Sequence, residues 1–162
     1  MATVDDIIAE LVRTGRTVAT AESLTAGLTC ARLTDVPGSS AAVRGGLIVY
    51  STELKASLAG VDPQLLADYG AVHPEVAAQL AEGARQRCGS DWGLGLTGVA
   101  GPSGQDGASP GTVHIGLSAV GVRDVRTLWI DGDRHTIRHA SVTAALDLLW
   151  EHLERGSRSP LA

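Results

Sequence analysis

The sequence predicts an α/β domain, a three-layer sandwich with helices on both faces of a mixed sheet. Three observations carry that prediction. Short apolar runs at 17–21, 46–50 and 92–97 alternate with segments of helical period, the pattern of repeated β–loop–α units. Two further runs, 112–120 and 122–130, flank Gly121 at the spacing of an antiparallel hairpin. A long amphipathic segment then follows Asp133. With 162 residues, 44% of them hydrophobic, the chain makes one domain. The domain is expected over residues 1–155, with 156–162 as a flexible tail.

Each element has a local cause. Thr3 caps a helix whose first turn holds Asp5 and Asp6, matching the helix dipole. Val4, Ile7, Ile8, Leu11 and Val12 form its apolar stripe, and Gly15 ends it. TVATA (17–21) is a strand, and Glu22 to Gly27 turns into a helix reaching about Leu33. GLIVY (46–50) is a continuous apolar run of the buried-strand type. A helix through Glu53, Lys55 and Leu58 follows, and Pro63 and Pro74 each open another. WGLGLT (92–97) is the third strand, leading into a Gly/Pro loop from Gly98 to Gly111. The hairpin comes next, and Asp131-Gly132-Asp133 caps the last helix.

Composition excludes several function classes. A net charge of −5 argues against sequence-independent nucleic-acid binding, which needs a clustered basic face. No apolar run approaches the ~18 residues of a membrane span, and the acidic N-terminus is unlike a signal peptide. A cytoplasmic location is therefore expected, with Cys30 and Cys88 as reduced, buried thiols. No Cys–His cluster has metal-ligand spacing, so no metal is expected. With 3% aromatics and no Phe, the core must be built from Ala, Val, Leu and Ile, and 20 Gly imply many turns or close backbone approaches.

Of thirteen basic residues only one, Lys55, is lysine. Arginine solvates a surface as well, but only lysine readily loses its proton when desolvated. In an open α/β sheet ligands bind beyond the carboxyl ends of the strands. If the first three strands are parallel, Ser23, Tyr50, Thr97 and the glycine loop meet at one edge, and Lys55 lies one helical turn past Ser51. Ser23 is thus either a nucleophile with the Leu24 and Thr25 amides as oxyanion donors, or simply the N-cap of its helix. A nucleophilic serine needs a base, from Lys55 or one of five histidines. The histidines lie apart at 73, 114, 135, 139 and 152, so a Ser–Lys pair oriented by Thr97 is the better fit. Glu22 holds either substrate or a helix terminus. The glycine segment 97–107 is either a flexible loop or a phosphate cradle. Arg134 and Arg138 share one helix face, suited to anion binding or to solvent.

AESLTAG (21–27), TDVPGSS (34–40), GGLIVYSTELK (45–55), GAVHPEVA (70–77), LTGVAGPSG (96–104), PGTVHIGL (110–117) and GDRHTIRHASVTAALDLL (132–149) together cover nearly the whole chain. In residues and in order they resemble the CinA C-terminal domain family, the nicotinamide-nucleotide amidases, here in an expected stand-alone form. The resemblance implies a three-layer α/β/α fold on a mixed five-stranded sheet. It implies hydrolysis of the carboxamide of nicotinamide mononucleotide to nicotinate mononucleotide and ammonia, in pyridine-nucleotide salvage and without cofactor or metal. The family's catalytic serine, lysine and threonine fall on Ser23, Lys55 and Thr97. The substrate-facing set expected beside them is Glu22, Leu24, Thr25, Gly27, Gly46, Tyr50, Ser51, Gly98, Ala100, Gly101, Arg134 and Arg138. A small-molecule nucleotide is the expected partner, with no nucleic acid or membrane, and a homodimer is the expected assembly. The family commonly reads Ser-Cys-Thr-Gly-Gly where this chain has Ser23-Leu24-Thr25-Ala26-Gly27, and His73 stands where serine is usual. The alternative function, favoured by Ala26, is a catalytically inactive nucleotide-binding or partner-binding domain.

Overall fold

A computed structural model describes residues 1–158 of the chain. The elements run α1 (Val4–Thr14), β1 (Val18–Glu22), α2 (Leu28–Thr34), a 3-10 turn (Ser39–Ala41) and β2 (Val43–Ile48). They continue with α3 (Thr52–Ser57), α4 (Pro63–Tyr69), α5 (Pro74–Cys88), β3 (Trp92–Gly98), β4 (Thr112–Ala119), β5 (Val122–Trp129) and α6 (Arg134–Arg158). The five strands form one open sheet in the order β2-β1-β3-β4-β5. β1 runs parallel to both β2 and β3, whereas β4 is antiparallel to β3 and β5. The sheet is mixed, as expected, and the first three strands point their carboxyl ends the same way.

Two cores make the three layers. α1, α2 and α6 cover one face over Leu94, Leu96, Val113, Ile115 and Leu117. α3, α4 and α5 cover the other through Val61, Leu66, Val76, Leu80 and Ala84, against Ala19, Ala21 and Val49. α1 begins with the expected Thr3 cap, closed into a capping box by Asp6, and ends on Gly15 in the left-handed region. Asp133 caps α6, accepting from the Thr136 amide at 2.8 Å.

Three expectations need correction. The strand placed at 46–50 lies at 43–48 and is an edge strand with alternating exposure, because β1 is its sole neighbour and one face meets solvent. The helix expected directly after Glu22 starts at Leu28, with successive turns between. Within the tail expected from 156, residues 156–158 are helical: α6 continues through Gly156 and Ser157 to Arg158, and the Ser157 hydroxyl donates to the Leu153 carbonyl. Residues 159–162 of that tail lie outside the described residues.

The glycine content has a packing cause. Gly95 on β3 and Gly116 on β4 face α5 so closely that an added Cβ on either would overlap the Ala77 carbonyl. At Gly95 it would also overlap the Ala81 amide nitrogen. α5 therefore rests backbone against backbone on the middle of the sheet, which holds this layer thin. Gly95→Ala is expected to cost about 2–3 kcal/mol, the scale of overpacking a rigid contact. Gly156→Ala, where nothing lies within 4 Å, should gain up to about 1 kcal/mol from helix propensity. Urea denaturation of the two variants beside wild type measures both.

Candidate active site

The parallel β2-β1-β3 edge gathers the expected residues by register alone. Glu22 pairs with Ile48 on one side and Leu96 on the other. Just beyond, the Val49 amide donates to the Glu22 carbonyl at 2.9 Å and the Ser23 amide donates to the Leu96 carbonyl at 3.0 Å. Ser23 is thereby fixed between the Val49–Tyr50 corner of β2 and Thr97 of β3. It borders a cleft of about 470 Å³ lined also by Leu24, Tyr50, Ser51, Gly98, Ala100, Gly101 and Arg134. That volume falls within the range of small-molecule sites.

Lys55 and Thr97 lie beneath this edge, each 1% exposed. Ser51 caps α3 by accepting from the Leu54 amide, and the helix turns Lys55 back toward the strand ends. Lys55 Nζ donates to the Val49 carbonyl at 2.9 Å and the Tyr50 carbonyl at 3.1 Å. Burial pushes this amine down from 10.5 to about 8, while the Asp106 carboxylate pulls it the other way. Two acceptors match the two N–H bonds of the neutral amine and leave its lone pair unengaged, the arrangement a general base requires. Thr97 Oγ1 donates to the Ala71 carbonyl at 2.7 Å, so its own oxygen is free to accept.

The turn after β1 is built around Glu22. Its carboxylate, 1% exposed, accepts from the hydroxyls of Thr20 (2.9 Å) and Thr25 (2.7 Å) and from the amides of Thr29 (2.8 Å) and Cys30 (3.0 Å). Glu22 thus holds the helix terminus and has no place in the cleft. Arg138 also serves this turn: Nε donates to the Leu24 carbonyl at 2.8 Å, and a terminal nitrogen donates to that of Thr25 at 3.4 Å. In a trans peptide the N–H opposes the C=O. Holding the Leu24 carbonyl therefore directs the Thr25 amide away from Arg138. Neither the Leu24 nor the Thr25 amide meets an acceptor among the described residues, which leaves two donors beside Ser23 for an oxyanion.

Of the expected substrate-facing residues, Glu22, Thr25, Gly27, Gly46 and Arg138 do not line the cleft. Gly46 gives way to Thr20 Oγ1, which a Cβ there would strike, and Gly27 starts α2 with φ of +98°. Arg134 does reach the mouth, donating to the Gly101 carbonyl at 2.8 Å and the Tyr50 hydroxyl at 3.1 Å. None of the five histidines lines the cleft; His73 caps α5 through Nδ1, and His114 pairs with Thr127. The two cysteines are free and half-buried. Sequence reasoning misses Thr52, Val99, Ser103, Gly104 and Gln105, which complete the lining, and Asp106 behind them. The signal for the loop residues was the run's lack of apolar side chains. For Asp106 nothing local marks it, because its partners come from residues 70 and 71.

The fold is an open α/β sheet with a serine on a cleft at its carboxyl edge and a buried lysine and threonine behind that edge. The chain belongs to the CinA C-terminal domain family, whose model matches residues 2–153. A CinA-like protein of Frankia casuarinae is 50% identical over 143 residues, covering 88% of this chain and 33% of its own length. One from Mycobacterium tuberculosis is 48% identical over 161 residues, covering 98% and 37%. The chain therefore spans about a third of the length of these relatives. Among solved structures, a competence-damaged protein (CinA) superfamily protein from Escherichia coli superposes with a TM-score of 0.86 at 28% identity, over 91% of this chain and 89% of its own. A competence/damage inducible protein from Agrobacterium tumefaciens gives 0.85 at 32%, over 95% and 97%. No helix among the described residues is long and apolar enough to cross a membrane.

Lys55 makes the site detectable in stability. Its amine titrates near 8 when folded and near 10.5 when unfolded, so the folded state carries a penalty that is complete below pH 8. As pH rises from about 8 toward 10.5 the folded amine is already neutral and stability returns, by about 3 kcal/mol. Lys55→Met has no such group. The stability difference between wild type and Lys55→Met, followed by denaturation at pH 7 and pH 10, is expected to shift in favour of wild type by that amount.

Proposed function

We propose that this domain is an amidohydrolase that cleaves the carboxamide of nicotinamide mononucleotide, releasing nicotinate mononucleotide and ammonia. The observation that carries the reading is Lys55: a buried amine with both N–H bonds placed on backbone carbonyls, at the strand end next to Ser23. Such an amine is a base in search of a proton, and the Ser23 hydroxyl at the cleft floor supplies one. Ser23 Oγ attacks the carboxamide carbon as Lys55 takes its proton, and the Leu24 and Thr25 amides receive the oxyanion. The C–N bond then breaks, Lys55 returns the proton to the leaving nitrogen, and ammonia departs. Water, deprotonated by the same amine, cleaves the acyl-serine ester and restores Ser23. Thr97, held by the Ala71 carbonyl, keeps an oxygen available to orient the migrating proton.

The cleft suits a nucleotide. Ser51, Thr52, Ser103 and Gln105 supply polar edges, and Arg134 supplies the cation at the mouth. Small residues, Gly98, Ala100 and Gly101, leave room between them for a ring. Ala26, the departure that favours a binding-only domain, is exposed and lies outside the lining. Its backbone sits at φ of +47°, close to glycine's usual region there, so the turn is kept. The homodimer, the salvage role and the cytoplasmic setting belong to the same proposal.

The test is ammonia release from nicotinamide mononucleotide by wild type, Ser23→Ala, Lys55→Ala and Lys55→Arg. Arginine cannot deprotonate near neutrality, so Lys55→Arg is expected to lose as much as Lys55→Ala, at least about a hundredfold. The kcat/KM of wild type should rise with pH through a midpoint near 8 and then level off. Retention of activity in Lys55→Arg would sink the general-base assignment. Folded wild type that binds the mononucleotide without turnover would favour the binding-only reading.

A further inference from the structure

The loop between Gly98 and Gly111 forms one wall of the cleft, and its position is set from two sides. On the outer side Arg134 holds the Gly101 carbonyl. On the inner side the Asp106 carboxylate accepts from the Ala71 amide at 2.9 Å. The seat is shaped for it: Gly70 has φ of +78°, and a Cβ there would come within 2.7 Å of the Asp106 side chain. Asp106 itself adopts φ of +49°, a conformation that aspartate tolerates better than most residues. Ala71 is held at both ends, since its carbonyl accepts from Thr97 Oγ1 at 2.7 Å. One hydrogen-bonded path therefore runs from the cleft wall at Asp106, through Ala71, to Thr97 beside Ser23.

We propose that Asp106 is a positioning residue of the site, clasping the glycine loop to Ala71 so that Thr97 is aligned. The inference rests on the serine–lysine reading of the cleft and adds a residue which that reading does not contain. The Asp106 carboxylate also favours the charged form of the Lys55 amine. The other carboxylates on this side of the sheet are exposed or committed elsewhere. Asp62 caps α4, Asp68 holds Gln64, Glu75 pairs with Arg123, and Glu82 accepts from Gln86. His73 caps α5 and packs on Tyr69, and Glu53 is exposed on α3. Gln105 Nε2, at 3.5 Å, is the remaining group on the Asp106 carboxylate.

The sequence offers a direct probe, since Lys55 is the only lysine. Protein carrying carbon-13 at the lysine Cε gives one side-chain signal, and its titration reads Lys55 alone. Asp106→Asn keeps an oxygen to accept from Ala71 but removes the charge; Asp106→Ala removes both. The Lys55 midpoint is expected to fall below its wild-type value near 8 in both variants, because an opposing carboxylate favours the ammonium. Amide exchange at Ala71 should be slow in wild type and Asp106→Asn and at least about tenfold faster in Asp106→Ala, where the acceptor is gone. In the ammonia assay the rising limb of kcat/KM moves to lower pH with the Lys55 midpoint. The high-pH plateau of Asp106→Ala should fall about tenfold further than that of Asp106→Asn, a barrier difference of about 1.4 kcal/mol.

A Lys55 midpoint unchanged in Asp106→Asn overturns the coupling of Asp106 to that amine. Equal Ala71 exchange in the two variants overturns the clasp. Both readouts hold whether or not the protein hydrolyses this amide, so loss of the functional reading leaves them intact. A shifted midpoint with an unmoved activity limb would instead reject Lys55 as the base while supporting Asp106 as its neighbour.

Discussion

The cleft depends on where the Glu22 carboxylate goes. A carboxylate buried at the end of a central strand must find hydrogen-bond donors, and burial without them costs several kcal/mol (about 3–5 for a group left unpartnered). Glu22 finds four, from Thr20, Thr25, Thr29 and Cys30. Three of those exist only if the chain folds back at once through Thr25 and enters α2 with its first-turn amides facing the sheet. The same requirement fixes Ser23, the single residue between the strand end and the turn. The position of Ser23 is thus a by-product of satisfying a buried acid.

The two faces of the sheet solve different problems. α1, α2 and α6 pack leucine and isoleucine side chains over a thick core, which gives the fold its ordinary hydrophobic stability. On the other face α5 lies directly on Gly95 and Gly116, and the core beside that contact is built of Ala, Val and Leu. That thin layer brings the segment preceding α5, with Ala71, close enough to β3 for its carbonyl to hold Thr97. A phenylalanine in this layer would lift the helix and carry Ala71 away. Gly93, Gly95 and Gly116 are the sheet's side of that spacing.

Much of this was legible in the residues because it depends on periodicity and strand ends. The parallel triplet, the hairpin at Gly121, the Asp133 cap and the meeting of the β1, β2 and β3 carboxyl ends follow from local pattern plus the rule for open sheets. What escaped the sequence was set by long-range partners. GLIVY reads as a buried run, yet β2 has no neighbour beyond it, and pattern alone does not disclose an edge. Arg134 and Arg138 share a face as expected, but one reaches the cleft mouth and the other is taken by the Leu24 and Thr25 carbonyls. Nothing in the loop's own sequence marks Asp106, because Gly70 and Ala71, which receive it, lie some thirty-five residues earlier.

Glu22 and Lys55 show how the same degree of burial produces opposite chemistry. Both are 1% exposed, at neighbouring strand ends, and both are ionisable. Glu22, an acceptor-only group when ionised, meets four donors and becomes a fixed structural node. Lys55 as an ammonium would have three N–H bonds to place, and the fold offers it two carbonyls. Loss of hydration weighs against the charged form and holds this amine down near 8 rather than at 10.5, against the opposing pull of the Asp106 carboxylate. A further acceptor for the third bond would stabilise the ammonium and move the amine back toward 10.5. Burial is equal at the two positions, and the partners offered there make one group a fixed anchor of the turn and leave the other a titrating amine.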